Sequence, residues 1–300
     1  MLMKHSTSSK SLQGILFALG ATVIWSGNFI VARSLNQSIE PATLSLLRWA
    51  TAFLGLLPFA GRAAWLQRAA IKKSLPAMIP MALLGVTTFN ALLYKAAHTT
   101  SALNLSLIAT STPVFIILLA RIFLQERLTV RKMTGLAVAL AGVLLLITDG
   151  DPGRLVSLEF SIGDLWMSLA AVIFAAYSIL VRQFEGGLSQ SVFLLTLFGT
   201  GIIFLTPWAG WEIFAHGFPA ITPGTAGAIL YIGLGASLAA YAMWNNAMTL
   251  IGPSLAGLIY YSLPVFSGVT AFLFLSEPMG LIHLTSAGCI LGGILLATRG

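Results

Sequence analysis

One apolar stretch occurs twice in this 300-residue chain, and that recurrence constrains the fold more than any other feature. Residues 104–127 read NLSLIATSTPVFIILLARIFLQER, and residues 255–278 read LAGLIYYSLPVFSGVTAFLFLSEP. A shift of 151 sets Pro113 on Pro264, Val114 on Val265, Phe115 on Phe266 and Glu126 on Glu277. Leu107, Ile108, Ser111, Ala120, Phe123 and Leu124 also meet identical residues. Two apolar helices, each with a proline near the middle and a carboxylate at one end, predict an internal duplication.

Both stretches, and others along the whole chain, are long enough to cross the roughly 30 Å hydrocarbon core of a bilayer. Charge agrees with that reading. Only 8% of residues are charged, against about 25% in a soluble globular chain. Too few charges remain to cover a water-facing surface. Barrel strands would show short alternating segments instead. The expected class is an all-α membrane protein, with the lipid bilayer as its surroundings. The net charge of +7 is topological and does not indicate a nucleic-acid partner, because most Lys and Arg sit in a few short loops. The one cysteine, Cys289, excludes an intrachain disulfide. No zinc spacing or cofactor motif is present, and no obligate protein partner is evident.

Ten helices are predicted. The first five lie near Leu12–Arg33, Pro41–Ala60, Leu75–Tyr94, Ser101–Leu124 and Lys132–Thr148. The second five lie near Ile162–Arg182, Gln190–Ala209, Gly224–Asn246, Pro253–Leu275 and Leu281–Thr298. The duplication runs through all of them. At a shift of 149, Gly14, Leu16, Ala21, Val23, Ile24, Ile30 and Arg33 meet identical residues as far as Arg182. Leu46, Thr51, Leu56, Pro58, Ala60 and Gly61 do the same in the second and seventh helices. Leu84 and Gly85 return as Leu234 and Gly235 at 150. Gly142 returns as Gly293 at 151. The expected organisation is a repeat over 1–148, an external polar linker over 149–161, and a second repeat over 162–300. Five helices is an odd number, so the second repeat enters the membrane from the opposite side. Such inverted-topology repeats mark many secondary transporters.

Basic residues set the expected orientation. With the N-terminus in the cytoplasm, Lys4, Lys10, Arg62, Arg68, Lys72, Lys73, Arg127, Arg131, Lys132, Arg182 and Arg299 lie inside. Arg33, Lys95 and Arg154 lie outside, with the acidic linker.

The two five-helix halves, the Pro113-Val114-Phe115 to Glu126-Arg127 pattern, and the glycine-bearing fifth helix resemble the drug/metabolite transporter superfamily, in its EamA branch. The resemblance covers nearly all of 12–299. Within that branch the chain is similar to the YddG-type inner-membrane exporters of aromatic and other neutral amino acids. It implies a multi-pass protein of the bacterial inner membrane with both termini cytoplasmic, exporting small molecules such as amino acids by alternating access.

Polar and aromatic residues inside the helices are the candidate binding groups, because polar groups in hydrocarbon are costly and face the bundle interior. They are Trp25, Asn28, Asn90, Tyr94, Ser111, Trp166, Tyr177, Tyr241, Trp244, Asn245 and Tyr260. Helical spacing puts Trp25 with Asn28, Asn90 with Tyr94, and Tyr241 with Trp244 and Asn245 on common faces. A water-filled cavity between the halves is expected. Plainer readings stand beside these. Trp65, Trp166 and Trp211 fit interfacial anchors. Asn28 and Asn245 also fit helix-to-helix hydrogen bonding. The hydroxyls of Thr110, Ser111 and Thr112 also suit carbonyls freed by Pro113. Gly142 and Gly292-Gly293 suit close packing.

Arg48 is the one strong interior cation. It has three open roles: snorkelling, a freed carbonyl, or a substrate carboxylate. No carboxylate is placed mid-membrane, where a proton-driven carrier keeps its relay. His98 sits near the outer end of the third helix. Facilitated movement is therefore expected. An enzyme would need a nucleophile, a metal cluster or paired carboxylates within reach of one another, and none is seen.

The orientation has a direct test. A reporter fused after Gly300 is expected to read as cytoplasmic, and one inserted within 149–159 as external. Both on one side would refute the inverted repeat.

Overall fold

A computed structural model describes the chain except for residues 1, 36–37, 101–104, 106–107, 152, 154–160, 276–279 and 299–300. The side chains of 2–9, 29–30, 32–34 and 270–275 are likewise outside the description. Of the expectations above, the start of the fourth helix, the side chains of Lys4 and Arg33, and Arg154, Glu159, Glu277 and Arg299 fall among these positions.

The described residues are helical almost throughout, and no strand forms among them. In hydrocarbon each backbone N–H and C=O needs an internal partner, and a helix supplies one within its own segment. The helices are α1 (Leu2–Leu35), α2 (Pro41–Leu66), α3 (Arg68–Thr99), α4 (Thr112–Phe123) and α5 (Val130–Thr148). There follow α6 (Ile162–Gln183), α7 (Gln190–His216), α8 (223–251), α9 (253–275) and α10 (Leu281–Thr298). Gly252, at φ 78°, separates α8 from α9. Among the described residues, seven helical stretches are long and apolar enough to cross a membrane: α2, α3, α5, α6, α7, the 223–260 stretch and α10.

Several helices run past their sequence-predicted ends. α2 continues to Leu66 and α7 to His216. The larger difference lies in α4 and α9, which are broken where continuous helices were expected. Turns at Thr110–Ser111 and Tyr261–Ser262 stand 151 residues apart. Each proline then sits in the first turn of a new helix, where its missing N–H costs nothing. At both breaks the serine hydroxyl donates to the carbonyl three residues back: Ser111 to Ile108 at 2.6 Å, Ser262 to Ile259 at 2.7 Å. The Ser111 hydroxyl thus serves the Ile108 carbonyl and not that of Ala109, the one four residues before Pro113.

A second paired irregularity was not expected. α3 is π-helical over Leu83–Thr88, and α8 over Tyr231–Ala239. These segments overlap at the repeat shift of 150. Widening the helix frees carbonyls, and such segments are frequent at functional sites.

Packing repeats as well. α1 packs on the 240–260 stretch and α9, while α6 packs on the end of α3 and α4. α2 packs on the π segment of α8, and α7 on that of α3. α2 pairs with α7, and α5 with α10. Exchanging the halves carries this set of pairs onto itself.

The two chain-end faces are fixed by contacts between helix ends. At the linker face, Glu212 of α7 accepts from the Ala42 and Thr43 amides at 3.1 and 2.8 Å, capping α2. Asp164 accepts from the Ser161 amide and the Thr100 hydroxyl, joining the start of α6 to the end of α3. At the opposite face, Gln67 accepts from the Ser189 amide at 3.3 Å, at the start of α7.

Glycine brings α5 and α10 together. A Cβ at Gly293 would stand 2.5 Å from the Gly135 carbonyl, and one at Gly142 would stand 2.8 Å from the Cys289 Cβ. Gly292 is exposed and a Cβ there meets nothing, so only one of the adjacent glycines packs. Gly293→Ala is expected to lower stability by about 1–3 kcal/mol. Gly292→Ala is expected to be neutral or slightly stabilising, by up to ~1 kcal/mol. Thermal unfolding of both variants in one detergent checks the contrast.

Candidate functional site

Residues at equivalent positions of a two-fold repeat touch each other only near the axis relating the halves. Trp25 of α1 and Phe174 of α6, equivalent at a shift of 149, meet edge to face with centroids 5.6 Å apart. Trp49 of α2 and Phe198 of α7, equivalent at the same shift, meet at 5.0 Å. The axis therefore runs through an aromatic cluster. Tyr241, Trp244 and Tyr260 surround Trp25 at 5.9, 5.3 and 6.0 Å. Tyr177 completes the group at 5.7 Å from Tyr241.

The freed π-segment carbonyls point to the same cluster. Gly85 accepts from the Tyr241 hydroxyl at 2.7 Å, and Ala236 accepts from the Trp25 indole at 2.8 Å. Gly85 is required there, since a Cβ would collide with the Tyr177 ring.

A polar layer lies on the linker side of the rings. Arg48, 1% exposed, donates through Nε to the Ser237 hydroxyl. One terminal nitrogen donates to Asn28 Oδ1 at 3.0 Å and to the Tyr94 hydroxyl at 2.9 Å. The other donates to the Ala236 carbonyl at 3.0 Å. The guanidinium also stands 5.4 Å from the Trp49 ring centre. Four helices, α1, α2, α3 and α8, thus converge on one cation. On the far side of the rings, the Tyr177 hydroxyl donates to Asn245 Oδ1 at 2.9 Å and the Trp244 indole donates to Ser178 at 3.2 Å. Asn90 donates to Tyr241 at 3.4 Å.

Nine of the sequence candidates are gathered in these layers: Trp25, Asn28, Asn90, Tyr94, Tyr177, Tyr241, Trp244, Asn245 and Tyr260. They are buried and closely packed, and Asn245 also faces a cavity. A cavity of about 180 Å³ lies on the side away from the linker. Asn245, Asn246, Gln190 and Thr249 line it together with four apolar residues. Ser111 and Trp166 stand elsewhere. Ser111 serves the helix break. Trp166 packs in a second apolar cluster, with the Lys95 ammonium 4.6 Å from its ring. Trp65 and Trp211 are 70% and 62% exposed on the bundle surface, as interfacial anchors would be. His98 is exposed at the linker end of α3.

Phe174, Trp49 and Phe198 were missed as site residues. The repeat carried the signal, since Phe174 is the counterpart of Trp25. Among the described residues, no three His, Cys, Asp or Glu side chains converge to hold a metal. Arg48 and its neutral acceptors suit non-covalent recognition of a small solute.

Comparison with known proteins agrees with this arrangement. The EamA-like transporter family matches residues 12–148 and again 161–299. The uncharacterized transporter YyaM of Bacillus subtilis is 25% identical, over 96% of this chain and 94% of its own. A probable terminal-alkyne amino-acid exporter of Streptantibioticus cattleyicolor is 26% identical over the same shares. A solved crystal structure superposes with a TM-score of 0.74 at 21% identity, covering 95% of this chain and 96% of that one. Its likeness establishes the fold alone. With both halves matched and the packing repeated between them, the chain belongs to the EamA-like transporter family and is a multi-pass membrane transporter.

Proposed function

We propose that the protein exports aromatic and other neutral amino acids, or closely related metabolites, across the bacterial inner membrane by facilitated alternating access. The single observation that carries this reading is the aromatic cluster on the axis between the halves, with the Arg48 layer on its linker side and neutral amide and hydroxyl groups on the other. Transporter sites lie at the repeat interface near the midplane. Ring faces and edges there suit an apolar or aromatic side chain. The amide and hydroxyl groups suit its polar end. One relative is named as a probable amino-acid exporter, which supports the substrate class.

In this reading ten helices span the membrane as two inverted five-helix repeats, over 1–148 and 162–300, with the 149–161 linker outside and both termini in the cytoplasm. The exchange symmetry of the packing pairs and the placement of Lys and Arg support it. The linker side is closed by the Arg48 layer, and the cavity beside Asn245 belongs to the cytoplasmic side. Transport then requires the polar layer to part while the rings rearrange around the solute.

Facilitated movement is supported by where the buried carboxylates sit. Asp164 and Glu212 are both occupied in capping helix starts at the linker face. Neither is in the aromatic cluster. A zwitterion brings no net charge to be offset.

Purified protein in vesicles is expected to equilibrate phenylalanine and other neutral amino acids faster than protein-free vesicles do. An imposed pH gradient at zero membrane potential is expected to leave the final level unchanged. Uphill accumulation that follows the gradient and collapses with a protonophore would establish proton coupling instead. Cysteines at Trp25, Asn245 and Tyr260 in a Cys289→Ala background are expected to react with small aqueous thiol reagents more slowly when substrate is present. Modification only by lipid-soluble reagents would remove these residues from the pathway.

A further inference from the structure

We infer that Arg48 is the carboxylate anchor of the transport site, and that Asn90 receives the ammonium group of the same substrate; this rests on the amino-acid reading above.

The argument begins with cost. Taking a guanidinium out of water costs several kcal/mol even after relaxation. Arg48 lies seven residues into α2, about 10 Å along the helix from Pro41, and is almost wholly buried. Every acceptor that the described residues offer it is neutral: Ser237, Asn28, Tyr94 and the Ala236 carbonyl. Buried charges are ordinarily paired with an opposite charge. A structural role does not account for the residue either. Its counterpart in the second repeat, 149 positions on, is Leu197, which is also fully buried and precedes Phe198 as Arg48 precedes Trp49. One half packs with leucine where the other carries a cation.

The donors around Arg48 fit an incoming carboxylate. A guanidinium has five N–H groups, and four are used here. The Ser237 and Tyr94 hydroxyls both accept from Arg48, and neither is seen donating to another described residue. Each hydroxyl hydrogen is thus available to an anion held by the guanidinium. A carboxylate would add an opposite charge and bidentate geometry to a guanidinium that now meets only neutral oxygens.

The second polar end is one helical turn away. Asn90 and Tyr94 are four residues apart on α3, roughly 6 Å along the axis. Asn90 Oδ1 is buried and has no partner among the described residues. Its amide is held in place by the bond from Nδ2 to Tyr241. An unsatisfied buried acceptor beside a carboxylate donor set matches an α-ammonium next to an α-carboxylate. Tyr241 and Trp49 meet edge to face, 4.9 Å apart, at the edge of the aromatic cluster that these two groups contact, Asn90 through the Tyr241 hydroxyl and Arg48 over the Trp49 ring. The substrate side chain then points away from the linker.

The test uses wild-type protein in vesicles, with phenylalanine uptake competed by phenylalaninamide and by 3-phenylpropionate. Phenylalaninamide is expected to inhibit at least about tenfold more weakly than phenylalanine, because it forfeits a charge-assisted contact. Phenylpropionate, which keeps the carboxylate, is expected to lie between them. In Arg48→Gln the gap between acid and amide is expected to close, and in Arg48→Lys to persist at reduced rate. Asn90→Ala is expected to narrow the gap between phenylalanine and phenylpropionate. Equal inhibition by amide and amino acid in wild-type vesicles overturns the anchor and leaves amino-acid transport standing, as does an unchanged gap in Arg48→Gln. Absence of uptake of any amino acid overturns both. The wild-type series decides the matter even where a variant fails to fold.

Discussion

Every backbone polar group of a helix in hydrocarbon needs a partner from the chain itself, and at two pairs of departures from regular α-helix the described residues supply one. The departures come in pairs. Ser111 and Ser262 serve the breaks ahead of Pro113 and Pro264. The two π-helical segments release carbonyls, and Tyr241 and Trp25 take them up. An irregular backbone is thereby confined to positions that the duplication places around one axis. The aromatic cluster occupies the space that this irregularity opens between the halves.

The division into halves was legible because identities kept nearly one shift across all the helices. Several helix starts were legible too, at Pro41, Ile162, Gln190 and Leu281. Apolar run length cannot register a helix that breaks and resumes, so 253–275 read as one segment although Tyr261–Ser262 interrupts it. π-helix leaves no apolar period of its own, which is why 83–88 and 231–239 were not foreseen. Nine of the eleven candidate residues share the central layers because polar residues are rare enough inside apolar helices to stand out. Trp166 shows the limit of that argument: an aromatic beside Lys95 looks the same in sequence as one in the cluster. Phe174 shows the reverse, since a phenylalanine in an apolar helix draws no notice until its counterpart is found to be Trp25.

Duplication also sharpens what is not duplicated. Trp25 faces Phe174 and Trp49 faces Phe198, aromatic against aromatic. Asn28 corresponds to Tyr177, and both are polar. Arg48 against Leu197 is a break in kind. Tyr241 against Ala91, Tyr260 against Ala109 and Asn90 against Ala240 differ as well, so the two walls of the central layers are unlike in chemistry.

The helix caps at the two faces carry a further consequence for the cycle. α2 and α7 each have their first turn held by a residue of the other half. At the linker face the holder is a carboxylate, Glu212, with bonds of 2.8–3.1 Å. At the opposite face it is the neutral amide of Gln67, at 3.3–3.4 Å. A charged acceptor at a helix start gains from the helix dipole as well as from its hydrogen bonds. Two clasps of unequal strength make the face toward the linker the harder one to part. An equal strain on both faces therefore opens the Gln67 face first.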